Sequence, residues 1–147
     1  MNIQIRKANK QEINWINKKY DEVNFQHSDF NNEIIVLAEV NNKKAGVGRL
    51  IKIDKETVEL GGIYVFEEFR GTGIASEIVS FLIKNKGEFN SVYCLPFENL
   101  RAFYEKHGFK TVSSKAKVPE KITQKHKWCN DTYDKKVLIL SLKNKPQ

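Results

Sequence analysis

Between residues 34 and 65 the chain reads as three successive strands, and at Gly73 the apolar period changes to that of a helix. Ile34–Val40 is a near-continuous apolar run, the mark of a strand covered on both faces. Asn41-Asn42-Lys43-Lys44 supplies turn chemistry, Ala45–Ile53 resumes the strand pattern, Asp54–Glu56 turns again, and Thr57–Val65 follows. These three runs predict an antiparallel meander. Beyond it, Glu67–Thr72 is polar, and Ile74, Ile78, Phe81 and Leu82 then fall on one helical face. A chain that pairs strands locally and then inserts an amphipathic helix must cover its sheet with helices.

The flanks extend this pattern. Ile3 and Ile5 alternate with polar residues, as in a half-buried strand, and Ile13, Ile16 and Tyr20 carry helical spacing over residues 10–24. Residues 25–33 are polar and aromatic without period, so a loop is expected. Asn85-Lys86-Gly87 ends the helix after Gly73, Ser91–Leu95 is a short β-prone run, and Pro96 breaks it. Asn99 is a good N-cap for a helix through Leu100, Phe103 and Tyr104, which His107-Gly108 closes. Phe109–Val112 and Val137–Leu142 read as closing strands, with a long Lys-rich stretch between them. The order predicts an α/β fold with a mixed, mostly antiparallel central sheet flanked by helices. At 147 residues, residues 1–147 are expected to form a single domain.

With 40% hydrophobic and 29% charged residues, a packed core is affordable and wholesale disorder is excluded. No apolar run reaches membrane-spanning length, and MNIQIRKANK lacks the apolar core of a signal peptide, so a cytoplasmic protein off the membrane is expected. Two cysteines, Cys94 and Cys129, make neither a disulfide scaffold nor a CxxC metal site. His126 with Cys129 is a single pair, so no metal is expected. Residues 110–147 hold ten of the 25 Lys+Arg and three of the 18 acids, so the whole net charge of +7 sits there. A basic field over the entire domain, as in a nucleic-acid-coating protein, is thereby excluded, though a basic C-terminal segment is not.

The chemistry concentrates where strand meets helix, at Ile63-Tyr64-Val65 and Arg70-Gly71-Thr72-Gly73-Ile74-Ala75. Glycines before a helix allow backbone to approach a ligand, and the first helical N–H groups have no internal partner. With the helix dipole they form an anion site suited to a pyrophosphate, and Arg70 adds a fixed charge. The GxxxxGK[ST] pattern of a P-loop is absent, as is the third glycine of a dinucleotide fingerprint.

Arg70-Gly71-Thr72-Gly73-Ile74-Ala75 resembles the R/Q-x-x-G-x-G/A acyl-CoA-binding signature of the GCN5-related N-acetyltransferases. Glu59–Val65 is similar to the strand that precedes it in that family, and Asn99–Phe109, with its Asn99, Ala102, Phe103-Tyr104 and Gly108-Phe109, is similar to the family's late Asn…Ala…Phe/Tyr-Tyr…Gly-Phe pattern. The resemblance spans residues 57–109 and implies the acyl-CoA N-acyltransferase fold. It implies transfer of an acetyl group from acetyl-CoA to a primary amine by direct attack, with a small-molecule or peptide amine as acceptor. The backbone of Arg70, Gly71, Thr72, Gly73, Ile74 and Ala75 would hold the CoA pyrophosphate. Ile63, Tyr64 and Val65 would pair with the pantetheine arm like an added strand. Asn99 would sit by the pantetheine or cap its helix. Tyr104 stands where the family keeps the phenol that protonates the departing thiolate, and an oxyanion donor is implied near Val65.

Glu59 is the favoured proton acceptor for the amine; its plainer alternative is a cross-strand charge pair. Strand alternation puts it on the face of Ile63 and Val65 unless Gly61-Gly62 forms a bulge. His27, Asp29 and Glu33 lie before the second strand on the implied acceptor side, where each also fits a plain loop. His107 reads as a helix-end residue favoured by the dipole. Cys94 reads as a small buried hydrophobe, whereas Cys129, between lysines, has a setting that would raise its reactivity. Lys115–Lys136, with Trp128 and Tyr133, could border an acceptor pocket or a homodimer interface, or be a solvated loop with one packed tryptophan. Two other classes compete with the enzyme: a CoA-binding or sensing module without catalysis, and a nucleic-acid binder using the C-terminal lysines.

Overall fold

The computed structural model describes residues 2–113 and 117–144. Seven strands form one sheet: β1 (Ile3–Lys7), β2 (Glu33–Val40), β3 (Lys43–Lys52), β4 (Thr57–Val65), β5 (Ser91–Cys94), β6 (Lys110–Thr111) and β7 (Leu140–Lys143). Their spatial order is β1-β2-β3-β4-β5-β7-β6. β1/β2, β2/β3, β5/β7 and β6/β7 are antiparallel. β4 and β5 are parallel, in register from Thr57↔Ser91 to Leu60↔Cys94. The helices are α1 (Ile13–Glu22), α2 (Ile74–Lys84), α3 (Arg101–Glu105) and α4 (Glu120–Thr132). The mixed, mostly antiparallel sheet flanked by helices is the expected fold class.

Two compact units divide the chain within β4: residues 1–51 with 61–87, and residues 52–60 with 88–147. In the first, α1 delivers Ile16 and Tyr20 onto Ile35, Leu37 and Val47, all buried, and Trp15, Phe25, Tyr64 and Phe66 pack at the margin. α2 lies against glycines of β3: a Cβ at Gly48 would stand 2.5 Å from Ile78 Cγ2 and 2.8 Å from Ile63 Cδ1. Only glycine lets the helix approach this closely. Ile74, Ile78, Val79 and Leu82 form the buried stripe of α2, as the spacing predicts.

The second unit has a core of Tyr93, Val118, Ile122 and Ile139, with Ile53, Leu95 and Val112 beside it. Here the sequence reading needs its largest correction. The Lys-rich stretch before the last strand is not simply a loop, because residues 120–132 of it form α4. α4 starts after Pro119, buries Ile122 and Cys129, and leaves Lys121 and Lys127 exposed. Asn130 then accepts from Val137 N at 2.8 Å and donates to Val137 O at 3.1 Å, which turns the chain back toward β7. The closing strands are shorter than expected, with Phe109 buried ahead of β6 and Val137 in a lone bridge to Phe97. Lys115 and Lys145 lie outside the described residues.

Candidate functional site

β4 continues to Val65, five residues past its last pair with β5 at Leu60. Gly61–Val65 are half-buried. Gly62 adopts φ +60, the left-handed geometry of a glycine bulge, and its carbonyl accepts the Tyr20 hydroxyl at 2.8 Å. The simple alternation that ties Glu59 to the face of Ile63 and Val65 therefore fails at Gly62.

After β4 the chain turns through Glu67–Phe69 and reaches Gly71 (φ +77) and Gly73 (φ +82). Arg70 folds its Nε back onto the Val65 carbonyl at 3.2 Å, and the Thr72 hydroxyl bonds the Phe69 carbonyl, so both ends of the loop are tied. Gly73 is the N-cap of α2, and no side chain caps the first turn. A Cβ at Gly71 or Gly73 would meet nothing within 4 Å, so the left-handed loop opens on clear space. Backbone donors at an uncapped helix start, beside two exposed glycines, fit a diphosphate.

In the second unit Glu59 is 4% exposed. Lys125 Nζ of α4 reaches its two carboxylate oxygens at 3.0 and 2.9 Å. Sequence reading missed this partner, because 66 positions separate the two residues and nothing local links them. Tyr104 is buried, with its ring edge-on to Phe103 at 4.9 Å and Phe109 at 5.8 Å. Burial pushes its phenol well above the usual range, and the neighbouring Cys94 adds to this. Burial raises the Cys94 thiol too, with Glu59 contributing, so Cys94 is the buried hydrophobe expected. Cys129 departs from expectation: burial pushes its thiol up and outweighs the opposing Lys125 charge. A raised thiol is a poor nucleophile at neutral pH.

Asn99 is exposed in the turn Glu98–Leu100, and the capping positions of that turn and of α3 are Phe97 and Leu100. Its expected role as a helix cap is thus overturned. Burial pushes the His107 imidazole down, against the dipole-favoured charge expected for it. Trp128 is 46% exposed, edge-on to Tyr133 at 5.8 Å, and Tyr133 stands edge-on to Phe97 at 5.5 Å.

His27 and Asp29 ahead of β2, and Glu33 at its start, take structural partners. His27 meets Asp21 at 2.7 Å, Asp29 caps the turn Phe30–Asn32, and Glu33 accepts from Asp29 N at 2.9 Å. Arg49, which sequence reading passed over, anchors this segment from β3. It is 4% exposed, donates to Gln26 O at 3.0 Å and Ser28 Oγ at 2.7 Å, and lies 4.5 Å over the Tyr20 ring. Its signal was a lone arginine inside an apolar strand run. Among the described residues there is no cluster of three metal-ligating side chains, and no helix is long and apolar enough to cross a membrane.

With this geometry in view, comparison with known proteins is informative. The family model for the acetyltransferase (GNAT) domain matches residues 31–111, more than half of the chain. The chain belongs to the GNAT acetyltransferase family. No curated protein matches it. Rv2747 from Mycobacterium tuberculosis, solved in complex with CoA and NLQ, superposes with a TM-score of 0.75 at 17% identity, over 97% of this chain and 99% of that one. A GNAT family acetyltransferase from Elizabethkingia anophelis with acetyl-CoA bound gives 0.69 at 19% identity, over 97% and 99%. N-acetylglutamate synthase from Neisseria gonorrhoeae, complexed with coenzyme A and N-acetyl-glutamate, gives 0.72 at 18% identity over 99% of this chain. The chain spans 36% of that synthase's length. At these identities the likeness is one of fold.

Proposed function

We propose that this protein is an acetyl-CoA-dependent N-acetyltransferase that passes the acetyl group to a primary amine by direct attack. The observation that carries the reading is the pair of left-handed glycines, Gly71 and Gly73, opening on clear space ahead of the uncapped start of α2. That loop follows directly on β4, whose half-buried end Ile63–Val65 offers backbone to an extended arm. Cofactor-bound neighbours support acetyl-CoA as the donor.

On this reading, backbone N–H groups of residues 70–75 hold the diphosphate, residues 63–65 pair with the pantetheine, and exposed Asn99 supplies an amide beside it. The amine nitrogen attacks the thioester carbon, its proton passes to Glu59, and the C–S bond breaks. The leaving sulfur takes a proton from Tyr104, giving an amide and free CoA thiol. A phenol kept protonated by burial has its proton in hand when the thiolate forms. Residues 1–147 act as one catalytic domain, and the acceptor is a small amine or a peptide.

The test has two arms. Free thiol release from acetyl-CoA, followed across a panel of amino acids, polyamines and peptides, should rise above the amine-free rate for at least one class. Gly73→Glu places bulk and a like charge at the diphosphate loop, and acetyl-CoA should no longer raise its melting temperature. Persistence of that shift in the variant would refute the diphosphate assignment, and cofactor binding without thiol release for any amine would favour a sensing module.

A further inference from the structure

The partner of Glu59 arrives from the element least legible in the sequence. α4 carries Lys125 one turn beyond the buried Ile122, and its ammonium binds both oxygens of the Glu59 carboxylate, at 3.0 and 2.9 Å. The glutamate side chain is 6% exposed and the lysine 27%. Beside Lys125, the Cys129 thiol of α4 and the Cys94 thiol of β5 lie within electrostatic reach of the carboxyl, and burial keeps both thiols protonated. Lys125 is the positive charge set directly against this carboxylate.

An ion pair this enclosed is a poor fastener. Desolvation consumes most of its Coulombic gain, and an apolar pair of similar volume would hold α4 on β4 at least as well. What the pair does that an apolar one cannot is keep a hydrogen-bond acceptor at a set position inside this core, tethered from α4 through Lys125 Nζ. The two-point contact also fixes the plane of the carboxylate.

We propose that Lys125 is a positioning residue for the acetyl transfer: its contact with both oxygens holds the Glu59 carboxylate in a fixed place and orientation, so that the carboxylate can receive the proton of the attacking amine. This rests on the assignment of Glu59 as proton acceptor. In the step, the N–H bond of the amine breaks, the proton goes to a Glu59 oxygen, and the electron pair stays with nitrogen as the N–C bond forms. Lys125 keeps its own three protons throughout. Glu59 returns its proton to water after the amide leaves.

The experiment compares kcat and KM for the unaltered protein and for Lys125→Met, Lys125→Arg and Glu59→Gln, using acetyl-CoA and the best amine of the panel. Glu59→Gln should lower kcat by about 10²-fold, the usual scale for losing a general base. Lys125→Met should lower kcat by about tenfold, as expected when a proton acceptor loses its fixed position. Its KM for acetyl-CoA should not change, and Lys125→Arg should restore kcat. If Lys125→Met does not fold, Lys125→Gln carries the same test, since it removes the ammonium that holds both oxygens. A crippled Glu59→Gln beside a Lys125→Met whose kcat equals that of the unaltered protein overturns the role of Lys125 alone. Full turnover in Glu59→Gln overturns the Glu59 assignment, and the proposal with it.

Discussion

A phenol as enclosed as that of Tyr104 resists ionisation, because its charged form would have to give up water for aromatic neighbours and a buried thiol. That keeps its proton in place in the resting protein until a nascent thiolate, a far stronger base than water, appears beside it. Tyr104→Phe keeps the ring and its edge-on contacts and removes only the proton. If Tyr104 is the acid, turnover should fall by about 10²-fold while the melting shift given by acetyl-CoA stays the same. Equal kcat at saturating substrates would show that the thiolate leaves without help from this phenol. Glu59 makes the converse point. Its residue type and place in the strand were readable, but its environment was not: the partner that holds both its oxygens lies 66 positions away.

At the scale of elements, β4 shows how backbone conformation can matter as much as side chains. At Gly62, φ is +60, and an added Cβ would stand 2.6 Å from Tyr20 Oη and 2.7 Å from Arg49 Nε. Gly62→Ala should therefore strain the strand and push on the hydroxyl that bonds the Gly62 carbonyl, at a cost of about 2–4 kcal/mol in urea unfolding. A loss under about 1 kcal/mol would mean that the strand relaxes without the left-handed residue. The sequence pointed to a bulge at Gly61-Gly62 only as an alternative, since two glycines in a strand do not reveal which one turns left-handed. The meander, α2 and the glycine loop were legible because each carries a local period or a turn signal. α4 was not, because its buried face is narrow: Ile122 and Cys129 are its buried residues, and the turns around them are crowded with lysine and polar groups. Pro119 followed by Glu120, with Ile122, His126 and Cys129 at helical spacing, was the available signal. The Asn99 cap failed for a related reason, as a short turn ahead of α3 moves the capping positions to Phe97 and Leu100.

Over the whole molecule, charge and family likeness are distributed differently. The family match covers residues 31–111, whereas the net +7 belongs to residues 110–147. A diphosphate cradle made of backbone N–H groups needs little net charge, so the basic segment is not required for the donor. Part of that charge is already engaged in its own unit: Lys125 on Glu59, Lys136 with Glu98 at 3.5 Å, and Lys135 5.7 Å over the Phe97 ring. Lys121 and Lys127 of α4 are exposed and lie in none of the groups assigned to chemistry. Replacing both with glutamine removes two positive charges from the surface and leaves the buried face of α4 intact. Surface substitutions of this kind usually change stability by no more than about 0.5 kcal/mol. The double variant should keep its KM for acetyl-CoA within about twofold, because point charges on a solvated face are screened over roughly 10 Å in 0.1 M salt. A several-fold rise in that KM, steepest at low salt, would mean that the lysine-rich helix steers the cofactor. An acceptor-dependent rise with an unchanged acetyl-CoA KM would instead tie the basic segment to acidic acceptors.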